Sequence, residues 1–279
     1  MNSSAMARTH RLGAERAARG SVTEGAARAG LAARGVIYLL VGVLALQIAF
    51  GDSSRQADRG GALATLAGQP FGTVLLWALG LGLAGMAVWR LSEAVFGSVG
   101  PKGRKPRKRL LAVVRCVFYA VVAYSVLTFA AGPRGGGSRS SDAQSRDVTA
   151  RVLDLPGGQW LVGAAGVGII VAGVWIAVQA VRRDYRKQLK LGEMTPWARR
   201  LVDVTGVVGG AARGLVFAAA GVFAVRAAVD YDPQRAKGLD DTLRSFAHTP
   251  LGPALLACVA AGLALFGLFS FALARWRRV

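Results

Sequence analysis

The chain has 279 residues, 53% of them hydrophobic and 18% charged, with a mean hydropathy of +0.40. A soluble domain carries nearer a quarter charged residues, which excludes ordinary globular solubility. The formal charge of +20 has no nucleic-acid-binding motif behind it, and two Cys and two His exclude a disulfide framework or an all-protein zinc site.

Residues 1–25 are Arg-rich (Arg8, Arg11, Arg16, Arg19) with no apolar stretch, and read as a disordered basic tail. Six apolar runs follow, at 31–50, 72–96, 110–131, 159–181, 204–229 and 251–274, each near the ~20 residues a helix needs to span a bilayer. The first run is of spanning length and lacks a small-residue cleavage site, so it is expected to stay as a signal anchor. The second contains Gly80, Gly82 and Gly85 in dinucleotide-fingerprint spacing. That motif needs a strand before it and water around it, so here it reads as a smooth face for helix packing. Glu93, the only acid well inside an expected span, reads as an ion-pair partner of Arg90 or Arg34 rather than a proton-coupling carboxylate. The fifth run holds Gly210 and Gly214 at GxxxG spacing, again a helix contact. Partly apolar stretches at 63–66, 148–155 and 239–246 are expected to lie flat against the membrane interface.

The connectors differ sharply in charge. The N-terminal stretch, 102–109, 182–200 and the C-terminal tail hold 21 Lys and Arg, against nine in the alternate loops, where nine acids match them. The positive-inside rule then puts both termini in the cytoplasm of a multi-pass plasma-membrane protein. The basic face is expected to meet anionic lipid headgroups, with no nucleic-acid partner.

The runs repeat in pairs. Odd-numbered helices share Arg34-Gly35-Val36-Ile37-Tyr38, Arg115-Cys116-Val117-Phe118-Tyr119 and Arg213-Gly214-Leu215-Val216-Phe217. Even-numbered helices open on Pro70-Phe71-Gly72, Pro156-Gly157-Gly158 and Pro250-Leu251-Gly252. Twelve residues after each Pro comes Gly82, Gly168 or Gly262, and nineteen after it Trp89, Trp175 or Phe269. The fold class expected is therefore an all-α membrane protein of six transmembrane helices, arranged as three tandem helical hairpins. Its parts are the tail 1–25 and hairpins at 26–98, 108–182 and 198–275. Equal orientation of the hairpins allows a pseudo-threefold arrangement about the membrane normal, with Gly82, Gly168 and Gly262 at equivalent packed positions.

Three two-helix units with an Arg-Gly-Val/Leu-aromatic ascending helix resemble the actinobacterial membrane family catalogued as domain of unknown function 1206. The resemblance covers about residues 26–275, and Cys116 departs from its pattern where the other repeats have Gly35 and Gly214. It implies a fold and a bacterial plasma membrane, and no activity.

No Ser or Cys nucleophile has a base in register, so an enzyme is not expected, nor a cofactor or metal. Arg34, Arg115 and Arg213 each lie 16 residues before the end of their run, which places them about 6 Å above the cytoplasmic boundary of ~30 Å of hydrocarbon. An aromatic follows each at i+4: Tyr38, Tyr119 and Phe217. These six residues form the candidate site for an anionic headgroup or small anion, against a plainer reading in which each Arg separately reaches cytoplasmic phosphates. The expected function is a non-enzymatic module binding lipid or a membrane-protein partner. The alternative is a small-solute or anion transporter or channel built from the three hairpins.

Overall fold

Pro-x-Gly recurs because a short helix must reverse into a long one without room for a side chain. In the computed structural model, described over residues 3–51, 56–96, 106–132, 140–247 and 252–277, the middle residue of the motif is left-handed in Phe71 (φ 63°) and Gly157 (φ 76°). A Cβ on Gly158 would sit 1.8 Å from the Val152 carbonyl oxygen, and one on Gly72 would sit 2.5 Å from those of Leu66 and Ala67. The short helix ends at Ala67 or Leu153, Pro follows in the turn, the middle residue reverses the chain, and Gly lets it fold back on the last carbonyls.

Nine α-helices lie among the described residues: α1 Ser3–Ala49, α2 Arg59–Ala67, α3 Gly72–Phe96, α4 Pro106–Ala131, α5 Ser141–Leu153, α6 Gly158–Val181, α7 Pro196–Val229, α8 Leu239–Ala247 and α9 Gly252–Trp276. Six are long and apolar enough to cross a membrane: α1 from Glu24, α3, α4, α6, α7 and α9. The fold is thus all-α, with six candidate spans.

One local expectation is corrected. Residues 3–23, expected to be disordered, continue α1 as helix. The segment lacks an apolar face but is rich in Ala and Arg, strong helix formers, and it extends a helix already nucleated by the span. The stretches expected to lie flat on the membrane are the short helices α2, α5 and α8. Of these, α2 and α8 bury Ala62, Leu63, Leu243 and Phe246, and cluster with Val41, Leu44, Leu256 and Val259 at the ends of α1 and α9.

Packing divides the chain into two compact units, the first Met1–Ala33 with Leu76–Ala131 and the second Arg34–Leu75 with Gly132–Arg278. In the first, Gly30 meets Met86, while Gly82 and Gly85 rest on the α1 backbone at Ala29 and Ala26. Gly80 meets Leu127 of α4. The three glycines of the fingerprint spacing are therefore helix contacts. Glu93 pairs with Arg90 at 2.5 Å, and the Arg90 guanidinium lies 4.2 Å from the Trp89 ring centroid.

The second unit packs α7 between α6 and α9, and α9 also against α1. Gly173 meets Gly214 and Ala218, and Gly166 meets Gly221 and Val225. Gly210 faces Ala180, so both members of its GxxxG pair are contacts. Gly35 meets Gly267, and Gly42 meets Ala260 and Ala264. Counted from Arg and Pro, the contact of Gly35 with Gly267 repeats that of Gly214 with Gly173. The ascending helix of the first repeat thus packs on the descending helix of the third as α7 packs on α6.

Gly168 departs from the expectation of three equivalent packed glycines. A Cβ on Gly82 would lie 3.0 Å from the Ala33 Cβ, and one on Gly262 2.3 Å from the Ala212 Cβ, whereas Gly168 has nothing within 4 Å. Nineteen residues after the motif Pro, Trp89 is 4% exposed and Phe269 5%, but Trp175 is 59% exposed. On α6 that face is open, and α6 packs on α7 through its other face.

The short helices interlock at the loop end of the second unit. Asp58 caps α2, its Oδ1 accepting from the Gly61 amide at 2.8 Å, while its Oδ2 accepts from the Ser141 amide at 2.7 Å at the start of α5. Asp142 Oδ1 accepts from the Asp241 amide of α8 at 3.2 Å. Asp240 Oδ1 accepts from the Ala57 amide, just before α2, at 2.7 Å. Each repeat's carboxylate thereby holds the backbone of the next, and the third closes on the first.

Candidate functional site

Arg34 on α1 and Arg213 on α7 approach α9 from its two packed sides. Small residues set this approach, since Gly35 and Gly209 let both helices close on α9 at Gly267 and Phe266. The Phe266 ring lies between the two arginines, 5.2 Å from the Arg34 guanidinium carbon and 4.9 Å from that of Arg213. Tyr38 stands edge-on to Phe266 with centroids 4.8 Å apart, and Arg213 lies 5.5 Å from the Tyr38 ring and 5.2 Å from that of Phe217. Arg34 Nε donates to Ser270 Oγ at 3.2 Å, and that hydroxyl donates to the Phe266 carbonyl at 2.9 Å. Phe266 is 5% exposed and Ser270 fully buried.

Arg34 and Arg213 bring two positive charges to one ring. Each cation–π contact contributes about 0.5–2 kcal/mol depending on desolvation, which offsets part of the cost of holding a guanidinium at this depth. Two cations no more than ~10 Å apart repel by at least about 1.7 kcal/mol at an effective dielectric of 20. Among the described residues no carboxylate pairs with Arg213, and its Nε is buried without an acceptor. A tetrahedral oxyanion can supply the acceptor that Arg213 Nε lacks and has further oxygens to offer a second guanidinium.

Four of the six candidate residues, Arg34, Tyr38, Arg213 and Phe217, therefore come together in the second unit. Arg115 and Tyr119 belong to the first unit, where Arg115 is exposed on α4 and Tyr119 stands edge-on to Phe118 at 5.4 Å. The sequence reading missed Phe266 and Ser270, which complete the site. Sixteen residues after the motif Pro the other repeats have Met86 and Ala172, so alignment of the repeats carries no signal for the central ring.

An aromatic column continues from Phe266 towards the end that carries the connectors. Phe269 lies 6.0 Å from Phe266, and Tyr185 stands edge-on to Phe269 at 4.9 Å. Tyr185 sits in a 3-10 turn, Asp184–Gln188, held by an Arg186 Nε bond to Asp203 at 2.8 Å. Burial pushes the Tyr185 hydroxyl up to about 12, with Asp203 adding to the effect, so it stays neutral.

Comparison with known proteins gives a family and no activity. The family described as Domain of Unknown Function (DUF1206) matches three times, at residues 29–97, 111–183 and 208–277. The uncharacterized protein YxxB of Bacillus subtilis (strain 168) is 32% identical over 246 residues, covering 87% of each chain. Its source gives the actinobacterial expectation no support. No solved structure matches.

Proposed function

Since the chain belongs to the DUF1206 family, with three tandem copies of its repeat in one multi-pass membrane protein, we propose that it is a non-enzymatic membrane module that binds an anionic lipid headgroup at Arg34 and Arg213. The observation that carries this reading is the pair of guanidiniums sharing the buried Phe266 ring, with Arg213 Nε left without an acceptor. The charge count supports a plasma-membrane orientation with both termini cytoplasmic, which sets the arginine pair nearer the anionic inner leaflet. A pseudo-threefold arrangement is supported by the shared register of α1 on α9 and α7 on α6.

Thermal unfolding in nanodiscs tests the site. The wild-type chain should melt higher in phosphatidylglycerol than in phosphatidylcholine, as expected for a ligand that binds only the folded state. The double variant R34Q/R213Q should lose that difference, and R226Q, at an exposed position on α7, should keep it. Equal lipid dependence in the double variant would overturn the reading. Anion flux in proteoliposomes abolished by the same double variant would replace it with transport.

A further inference from the structure

The ring of carboxylates at the loop end has no part in the arginine site. Carboxylate oxygens of Asp142, Asp240 and Asp241 all lie within 4.8 Å of one another, and Asp142 and Asp240 are buried. Like charges this close in a poorly solvated site cannot all be ionised without cost. Counter-ions are unevenly shared. Arg244 Nε donates to Asp240 at 2.8 Å, and Arg146 pairs with Asp241. Among the described residues Asp142 pairs with no cation, and its Oδ1 holds only the Asp241 amide. Gly238 lies so close that a Cβ would meet Asp142 Oδ1 at 2.6 Å, leaving little room for water on that side.

We propose that this ring is a proton-operated latch in which neutral Asp142 holds α5 against α8 and its ionisation loosens the loop end. The charged groups on the neighbouring elements decide the sign. Around α2 and α8 these are Asp58, Arg59, Asp240, Asp241 and Arg244. The 3-10 turn Pro233–Arg235 and its flanks bring Asp232, Arg235 and Lys237, and the end of α7 brings Arg226, Asp230 and Tyr231. On α5 itself are Arg146, Asp147 and Arg151, and α6 carries no charge. The Asp142 carboxyl is raised from its ordinary 3.8 to about 6, with burial the largest cause, the Asp241 amide pulling it down, and Asp241, Asp240 and Asp58 pushing it up. A carboxyl raised in the closed state favours closure at low pH, and that advantage is lost as pH climbs from about 4 to 6. A rise of about two units corresponds to a roughly hundredfold change in the closed-to-open ratio.

Hydrogen exchange on the full chain in nanodiscs reads this directly. Protection of the Ser141 and Asp241 amides, corrected for intrinsic exchange, should fall about a hundredfold between pH 4 and 7. In D142N it should stay high and flat, and D147N, exposed on the same helix, should keep the wild-type profile. A flat wild-type profile, or an unchanged step in D142N, would overturn the latch. Should D142N fail to fold, D241N serves instead. Removing that neighbouring carboxylate should move the midpoint to lower pH, and an unmoved midpoint would equally overturn the proposal.

Discussion

Phe71 and Gly157 do the same backbone work with different side chains. Both are left-handed, a conformation costing an ordinary L-residue roughly 1–2 kcal/mol and glycine almost nothing. Gly157→Ala should therefore destabilise by about 1 kcal/mol in denaturant unfolding, and Phe71→Gly should stabilise by a similar amount. The Phe71 ring is 82% exposed, so its removal takes little from the core. The motif was legible in the sequence as Pro-x-Gly, but its strain was not, because strain belongs to a torsion angle. The two arginines with their i+4 aromatics were legible from spacing alone. The ring they share was not, since Phe266 lies 232 residues from Arg34 in sequence and has no repeat equivalent.

Helices of the three repeats carry the same glycines to different ends. At Gly262 an added Cβ would fall 2.3 Å from the Ala212 Cβ, while at Gly168 it meets nothing within 4 Å. Gly262→Val should destabilise by roughly 1–3 kcal/mol through overpacking. Gly168→Ala should instead stabilise by up to about 1 kcal/mol, because Ala is the better helix former. Thermal unfolding of the two variants in one detergent makes the comparison, and equal losses would show that Gly168 is packed as its counterparts are. The long helices were legible because apolar runs of spanning length have few other readings. The helix α2 was not. Its sequence, with Gly60 and Gly61 in the first turn, is a poor helix former, and it is held by the Asp58 cap and by burial of Ala62 and Leu63.

Across the whole chain, two kinds of connector alternate. Those joining successive repeats are strongly basic, and those carrying α2, α5 and α8 balance their charges. Cysteines introduced at the exposed Gln144 on α5 and the exposed Gln188 in a Cys-free background should label from opposite sides. Gln144→Cys should react with an impermeant reagent in intact cells, and Gln188→Cys only after permeabilisation. The reverse result would invert the proposed orientation. Charge asymmetry was legible because it is additive along the sequence. The interlocked carboxylates were not, because their hydrogen bonds join residues 83, 99 and 183 apart.

The closed order of those bonds has a consequence for a chain made from its N-terminus. When the second repeat emerges from the ribosome, the Ser141 amide can already find Asp58. The Ala57 amide and the Asp142 carboxylate must still wait for Asp240 and Asp241, almost a hundred residues further on. An orphaned amide and an unshielded carboxylate each cost free energy as the surrounding apolar side chains close over them. A chain halted after two repeats therefore keeps an unfinished rim, an exposed mark by which a truncated product differs from a complete one.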